Sequence, residues 1–336
     1  MKCLVTGATG FLGGHLARGL RARGHDVRVF VREPGKIQEP LFSGIAICQG
    51  DIRDREAIRA AMRNIDVVLH CAAASGPRLS IASQRATNVG GVRNLLEVVV
   101  EAKHTRLVHV SGLSVLGIRD LRPASEELPR RRSGDPEADI KVEIEDLIDT
   151  YRRDQDVDAV ILRPSIVYGQ GDANLSQVLS AIRDGRFAYI GSQSNIVPLV
   201  HISDFIQMVH LAASCLQARG RVYHVADGSD TSIGAIVDCL AEIAGRPRPN
   251  VVLPYLIPYG GCLLFEMLQS FHLRSGPGPI DRAALRFLGT SRSVPITRAR
   301  VELGYEPRTL FRDGIMATYK HSREGTDGSC NYVAEA

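Results

Sequence analysis

The sequence predicts an α/β fold, a doubly wound parallel sheet with a smaller, interleaved C-terminal region, on three observations. An apolar run, Cys3-Leu4-Val5, leads into Thr6-Gly7-Ala8-Thr9-Gly10-Phe11-Leu12-Gly13, and a helical pattern follows from Phe11 to Arg23. Short β-branched runs then alternate with amphipathic stretches, which is the signature of parallel strands joined by crossover helices. Past Gly169 that rhythm loosens into pieces punctuated by glycine and proline.

In chain order, strands are expected near 2–6, 26–31, 45–49, 66–71, 106–111 and 158–163. Runs such as Val67-Val68-Leu69 and Val160-Ile161-Leu162 carry them. The stretches 11–23, 54–62, 81–102 and 137–152 read as the helices between them. Residues 1–169 therefore make the main sheet domain, and 170–322 a second region. Within it, 220–245 returns to the sheet, with a strand at Val222-Tyr223-His224-Val225 and a helix from Ser232 to Ala244. The run 251–268 is apolar, but Pro254, Pro258, Gly260, Gly261 and Glu266 interrupt it, so it reads as a lid or substrate wall and no integral membrane segment is expected. Arg323 to Ala336 is polar and aperiodic and reads as a flexible tail.

With 44% hydrophobic and 23% charged residues the chain is an ordinary globular one, and a net charge of +4 argues against nucleic acid as a partner. The seven cysteines are scattered singly and the ten histidines do not cluster, so no metal site is expected and the thiols read as reduced, in a cytoplasmic setting. The first strand begins at once, which argues against a secretory signal.

The glycines of the opening motif allow a tight turn and close approach of backbone to a pyrophosphate at the positive end of the following helix, as in dinucleotide-binding Rossmann domains. Further pieces complete a pattern: Gly50-Asp51-Ile52, Leu69-His70-Cys71-Ala72-Ala73, Asn88-Val89-Gly90-Gly91, Arg163-Pro164 with Tyr168-Gly169, Val200-His201-Ile202-Ser203-Asp204, and Thr297 to Pro307. Over nearly its whole length the chain resembles the extended short-chain dehydrogenase/reductase family, of the NAD(P)-dependent epimerase/dehydratase type.

The resemblance implies that Thr6, Gly7, Thr9, Gly10, Phe11, Leu12 and Gly13 form the pyrophosphate turn. It implies also that Asp51 and Ile52 border the adenine, and that Ala72, Ala73, Asn88, Lys141 and Pro164 line the remaining cofactor groove. The second strand ends in Val31-Arg32-Glu33. A guanidinium at Arg32 suits a 2′-phosphate, which favours NADP; with Arg32 in solvent and Glu33 on the ribose, NAD is the alternative. The family also implies a homodimer through helices near 81–102 and 137–152.

The family's usual catalytic hydroxyl, tyrosine and lysine are only partly present. Asp135 to Glu145 aligns with Lys141 and Glu145 in register, which leaves Glu137 at the tyrosine position, and counting back from Gly117 puts Gly112 at the hydroxyl position. The catalytic candidates are thus Glu137, Lys141 and the two neighbouring serines, Ser111 and Ser114. A carboxylate near its ordinary pKa of about 4.3 is ionised at neutral pH. Burial beside a nicotinamide would raise it and a Lys141 ammonium would oppose the rise; the bland alternative is a solvated first-turn glutamate after Pro136. The serines have an equally plain reading as strand-end residues. Arg130-Arg131-Arg132 reads either as a steering patch or as a solvated loop, His201 as a structural hydrogen-bonding residue, and Tyr168 as packing near the cleft.

Three functions are compatible with this inventory. The first is an atypical NADP-dependent oxidoreductase acting on a carbonyl/alcohol pair, or an activated alkene, of a hydrophobic small molecule. The second is a redox-neutral epimerase, lyase or cyclase using Glu137 as acid/base. The third is a silent NADP-binding scaffold or sensor.

Overall fold

A computed structural model describes residues 1–37, 39–76, 79–117, 119–254 and 289–320. Most of the apolar run 251–268 and the tail 323–336 thus lie outside the described residues. The chain runs through β1 (Lys2–Thr6), α1 (Phe11–Ala22), β2 (Asp26–Val31), β3 (Ala46–Gln49), α2 (Arg55–Ala61), β4 (Val67–His70), α3 (Ile81–Ala102), β5 (Arg106–Val110), α4 (Pro136–Gln155) and β6 (Ala159–Pro164). It continues through β7 (Ile166–Tyr168), α5 (Asn174–Arg183), β8 (Tyr189–Ile190), β9 (Leu199–His201), α6 (Ile202–Ser214), β10 (Val222–Val225), α7 (Ile233–Ala244), β11 (Val252–Leu253), α8 (Thr297–Leu303) and α9 (Phe311–Tyr319).

The seven-stranded main sheet has the order β3-β2-β1-β4-β5-β6-β10, and every pairing in it is parallel. The chain starts in the middle, winds out to β3, and then crosses back to β4. That reversal opens a crevice at the carboxyl ends of β1 and β4, where doubly wound sheets bind ligands.

Both faces of a parallel sheet are covered, so its strands are apolar on both sides. Val5, Val29, Leu69, Val108 and Leu162 pack beneath α1 and α6. On the opposite face Leu4, Val68, Leu107 and Ile161 pack beneath α2, α3 and α4. A third cluster, around Leu179, Tyr189, Leu240 and Ile315, holds α5, α7 and α9 together beyond the sheet. The segment 220–245 divides between the two parts: β10 closes the sheet beside β6, while α7 packs into the third cluster. Two short parallel pairs, β7 with β9 and β8 with β11, sit outside the main sheet; β8 and β11 are two residues each, too short for a periodic sequence signal. No helix among the described residues is long and apolar enough to cross a membrane.

Candidate active site

The crevice is a cavity of about 420 Å³ between the β1 turn, the end of β2 and the loop after β4. Its floor is glycine for steric reasons. Gly7 has φ +76°, and a Cβ there would lie 2.7 Å from the Ala72 nitrogen, while one on Gly13 would collide with the Gly7 carbonyl oxygen. Gly10 caps α1 without a side-chain partner, so the first amides of the helix are left for a ligand. Thr6, Gly7, Thr9 and Gly10 line the cavity, and Phe11 and Leu12 turn inward against the core. A backbone cradle that no larger residue could form fits a pyrophosphate.

At the β2 end the wall carries Arg32, Glu33 and Lys36, all exposed. Lys36 donates to Glu33 at 2.9 Å and Arg32 lies 3.8 Å from the same carboxylate, which these cations hold below the usual glutamate range. Sequence reasoning had named Arg32 and Glu33 but missed Lys36. Its signal was the three-residue spacing from Glu33, which a single turn from Pro34 to Lys36 converts into contact. Asp51 and Ile52 also line the cavity. Asp51 accepts a fork from Arg53, at 2.6 and 2.9 Å, and Ile52 packs against Gly91 of α3.

The opposite wall is the loop after β4. Asn88 on α3 holds it by a reciprocal pair, donating to the Ala74 carbonyl at 2.8 Å and accepting from the Ala74 amide at 2.7 Å. Cys71, Ala72 and Ala73 line the cavity; burial pushes the Cys71 thiol up to about 12, so it stays protonated. Beneath the loop, buried Thr6 bonds His70 Nδ1 at 2.8 Å and accepts from the Ala72 amide at 3.3 Å. Pro164 is the buried last residue of β6, paired with Val225 of β10.

Helix α4 places the remaining candidates. Asp135 caps it through the Ala138 amide, Pro136 occupies the first turn, and Arg152 and Arg153 lie in the last. Glu137 is exposed at its start and reaches across to accept the Gly76 amide at 3.1 Å, against the cavity loop. One turn on, the Lys141 amine lies 3.2 Å from where a Cβ on Gly112 would sit. It has no hydrogen-bond partner among the described residues. Burial lowers its pKa, opposed by the carboxylates of Glu137, Asp135 and Glu145. The amine therefore occupies space that a hydroxyl residue at 112 would share, and the glycine is what admits it.

Neither serine bonds that amine. Ser111 is buried and donates to Glu145 at 2.6 Å; Glu145, wholly buried, is also bonded by Arg163 at 2.6 Å. Ser114 sits half-exposed in a short 3₁₀ turn from Leu113 to Leu116. Arg130 is bound into the same network, facing Asp146 at 2.8 Å and Asp149 at 2.7 Å, which leaves Arg131 and Arg132 as the exposed members of the arginine run. His201 caps α6 through the Ser203 amide, and the buried Tyr168 hydroxyl points to the Phe311 carbonyl at 3.4 Å. No cluster of metal-binding side chains occurs among the described residues.

Comparison with known proteins agrees with this geometry. The chain is 30% identical over 324 residues to a 4-hydroxy-2-methyl-3-oxo-4-farnesyl-3,4-dihydroquinoline-1-oxide ketoreductase of Stigmatella aurantiaca, covering 94% of this chain and 95% of that protein. It is 32% identical over 332 residues to sterol demethylase protein B of Methylococcus capsulatus, covering 94% and 97%. Its fold matches a UDP-glucose 4-epimerase from Thermotoga maritima with a TM-score of 0.77 at 20% identity, over 96% of this chain and 99% of that one. Residues 3–226 match the model of the NAD dependent epimerase/dehydratase family. With its glycine cradle and its switch-point cavity, the chain is an enzyme of the NAD dependent epimerase/dehydratase family.

Proposed function

We propose that this enzyme is an NADP-dependent oxidoreductase that reduces a ketone, or oxidises the matching alcohol, on a hydrophobic small molecule. The observation that carries the reading is the Lys141 amine beside Gly112, which has no hydrogen-bond partner among the described residues and lies one helical turn from Glu137, itself bonded to the loop after β4. Two cations, Arg32 and Lys36, at the β2 end of the cavity support a 2′-phosphate over a bare ribose, because they face Glu33 while Asp51, which also lines the cavity, is already forked by Arg53. The hydrophobic substrate class is supported by the relatives that are named for a farnesyl quinoline oxide and for a sterol.

NADPH, when bound, supplies a hydride to the carbonyl carbon. The Lys141 ammonium holds the substrate oxygen as its negative charge develops and gives it a proton, a task that a phenol would otherwise perform. Glu137, at the rim, exchanges that proton with solvent. Its hydrogen bond from the Gly76 amide keeps the carboxylate on the cavity side of α4. A redox-neutral use of the same pair draws on Glu137 alone, and the assay separates the two: product formed without loss of NADPH belongs to that second reading.

The test is a titration of the protein with NADPH and NADH, followed by nicotinamide fluorescence, and then a ketone screen followed at the NADPH absorbance. We expect NADPH to bind at least tenfold more tightly. Replacing both Arg32 and Lys36 by alanine should erase that preference, a loss of about 1.4 kcal/mol or more. Equal affinities in the unaltered protein would remove the case for NADP.

A further inference from the structure

The face of the sheet beneath α4 ends in a row of buried polar side chains instead of the apolar residues that precede them. Thr6 on β1, His70 on β4, His109 on β5 and Arg163 on β6 each follow, two positions on, an apolar residue packed beneath α2, α3 and α4: Leu4, Val68, Leu107 and Ile161. Ser111, two residues beyond His109 on the same face, touches Glu145 of α4. Thr6 bonds His70, and Arg163 forks Glu145 through Nε and Nη2 while its Nη1 has no partner among the described residues.

His109 is the least satisfied member. It is buried, its ring stacks on His70 with centroids 5.3 Å apart, and neither of its ring nitrogens has a protein partner among the described residues. An unsatisfied buried polar group is destabilising, and an apolar residue of similar volume would avoid that cost. The charged and titratable groups around it are His70 from β4, Arg163 from β6 and, from α4, Lys141, Glu145 and Arg152. Arg163 keeps one unpartnered nitrogen, Nη1, but is fixed by its fork to Glu145, whereas the Lys141 amine has no hydrogen bond at all among the described residues and sits beside Gly112, three residues along the chain from His109.

We propose that His109 is a positioning residue for Lys141: it holds an enclosed water whose O–H donates to the imidazole and whose lone pair accepts from the Lys141 ammonium. The bridge gives the acceptor nitrogen of His109 and the amine one partner each and fixes the amine toward the cleft. It also favours the charged form of Lys141 against the burial that opposes it. The catalytic use of Lys141 rests on the function proposed above; the hydrogen-bonded pair itself does not.

Two measurements test it. In the protein without cofactor, NMR of ¹⁵N-labelled histidine rings reads His109 directly. Lys141→Met should shift the acceptor nitrogen of His109; an unmoved His109 resonance overturns the proposal, whatever the enzyme turns over. In the active enzyme, His109→Leu should lower kcat about tenfold and move its alkaline limb down by about one pH unit, since Lys141 then loses its proton more readily. NADPH affinity should stay within a factor of about two. His109→Gln, which keeps an acceptor, should restore kcat to within about threefold. A His109→Leu enzyme that keeps both kcat and its pH profile contradicts the assignment, and absence of any NADPH-dependent turnover in the unaltered protein counts against the proposed function while leaving the NMR result to decide this one.

Discussion

Glu137 and Lys141 lie one helical turn apart, yet they occupy different environments, and their substitution should have different consequences. Glu137 is solvated and anchored by a backbone amide, whereas Lys141 is desolvated, with nothing among the described residues bonded to its amine. Lys141→Met should therefore lower kcat by about 10²–10³-fold, because a positioned proton donor contributes that much. Glu137→Gln keeps the amide contact and the length of the side chain, and should cost only about tenfold, with NADPH affinity unchanged. Steady-state kinetics with one identified ketone compares the two; a larger loss in Glu137→Gln than in Lys141→Met would reverse the roles. The Asp135–Glu145 segment was enough to put both residues one turn apart near the start of α4. The sequence did not show that Gly112 leaves room for the amine, because residues 112 and 141 meet only when β5 and α4 pack.

At the scale of elements, α4 is tied to the sheet by a buried ion pair. Arg163 on β6 and Glu145 on α4 are both almost wholly buried, and Ser111 from the end of β5 completes the contact. Removing one partner strands a charge in the interior. Arg163→Met should thus destabilise the protein by about 3–5 kcal/mol, measured by urea unfolding, while Arg163→Met with Glu145→Leu should recover most of that loss. An equal loss in the single and double variants would mean that the pair acts through packing alone. Sequence alignment had put Glu145 in register without giving it work, and had read Ser111 as a strand-end serine or a proton carrier. The structure gives both of them to the joint between helix and sheet.

Across the whole molecule, burial of neutral histidines sets the response to acid. Burial depresses His70, His109 and His224, the last two to about 3. A folded pKa below the unfolded value of about 6.5 means that the unfolded chain takes up protons first as pH falls. Stability from these groups is thus complete above about pH 6.5 and declines below it. Between pH 7 and 5 each group can remove up to about 2 kcal/mol, a large share of the 5–15 kcal/mol of a typical domain. Urea midpoints should fall steeply over that interval, before most carboxylates titrate, and His109→Gln should flatten the decline. A midpoint unchanged from pH 7 to 5 would mean that the three rings find protons, or water, in the folded state.

By itself the sequence determined the parallel, doubly wound sheet, the glycine turn at its switch point and the region of the site, because these follow from local periodicity and from steric demands that particular residues state outright. Gly7 and Gly13 are legible since no side chain fits there. Only the tertiary structure decided which neighbours each polar residue meets. Lys36 joined the cavity wall at the end of β2 through a turn, Arg130 was drawn into an ion-pair network with α4, and His109 was set beneath α4, on which Lys141 has no hydrogen-bond partner among the described residues. Those outcomes depend on contacts between elements distant in the chain, and on the desolvation that packing imposes, neither of which a residue carries in its own sequence neighbourhood.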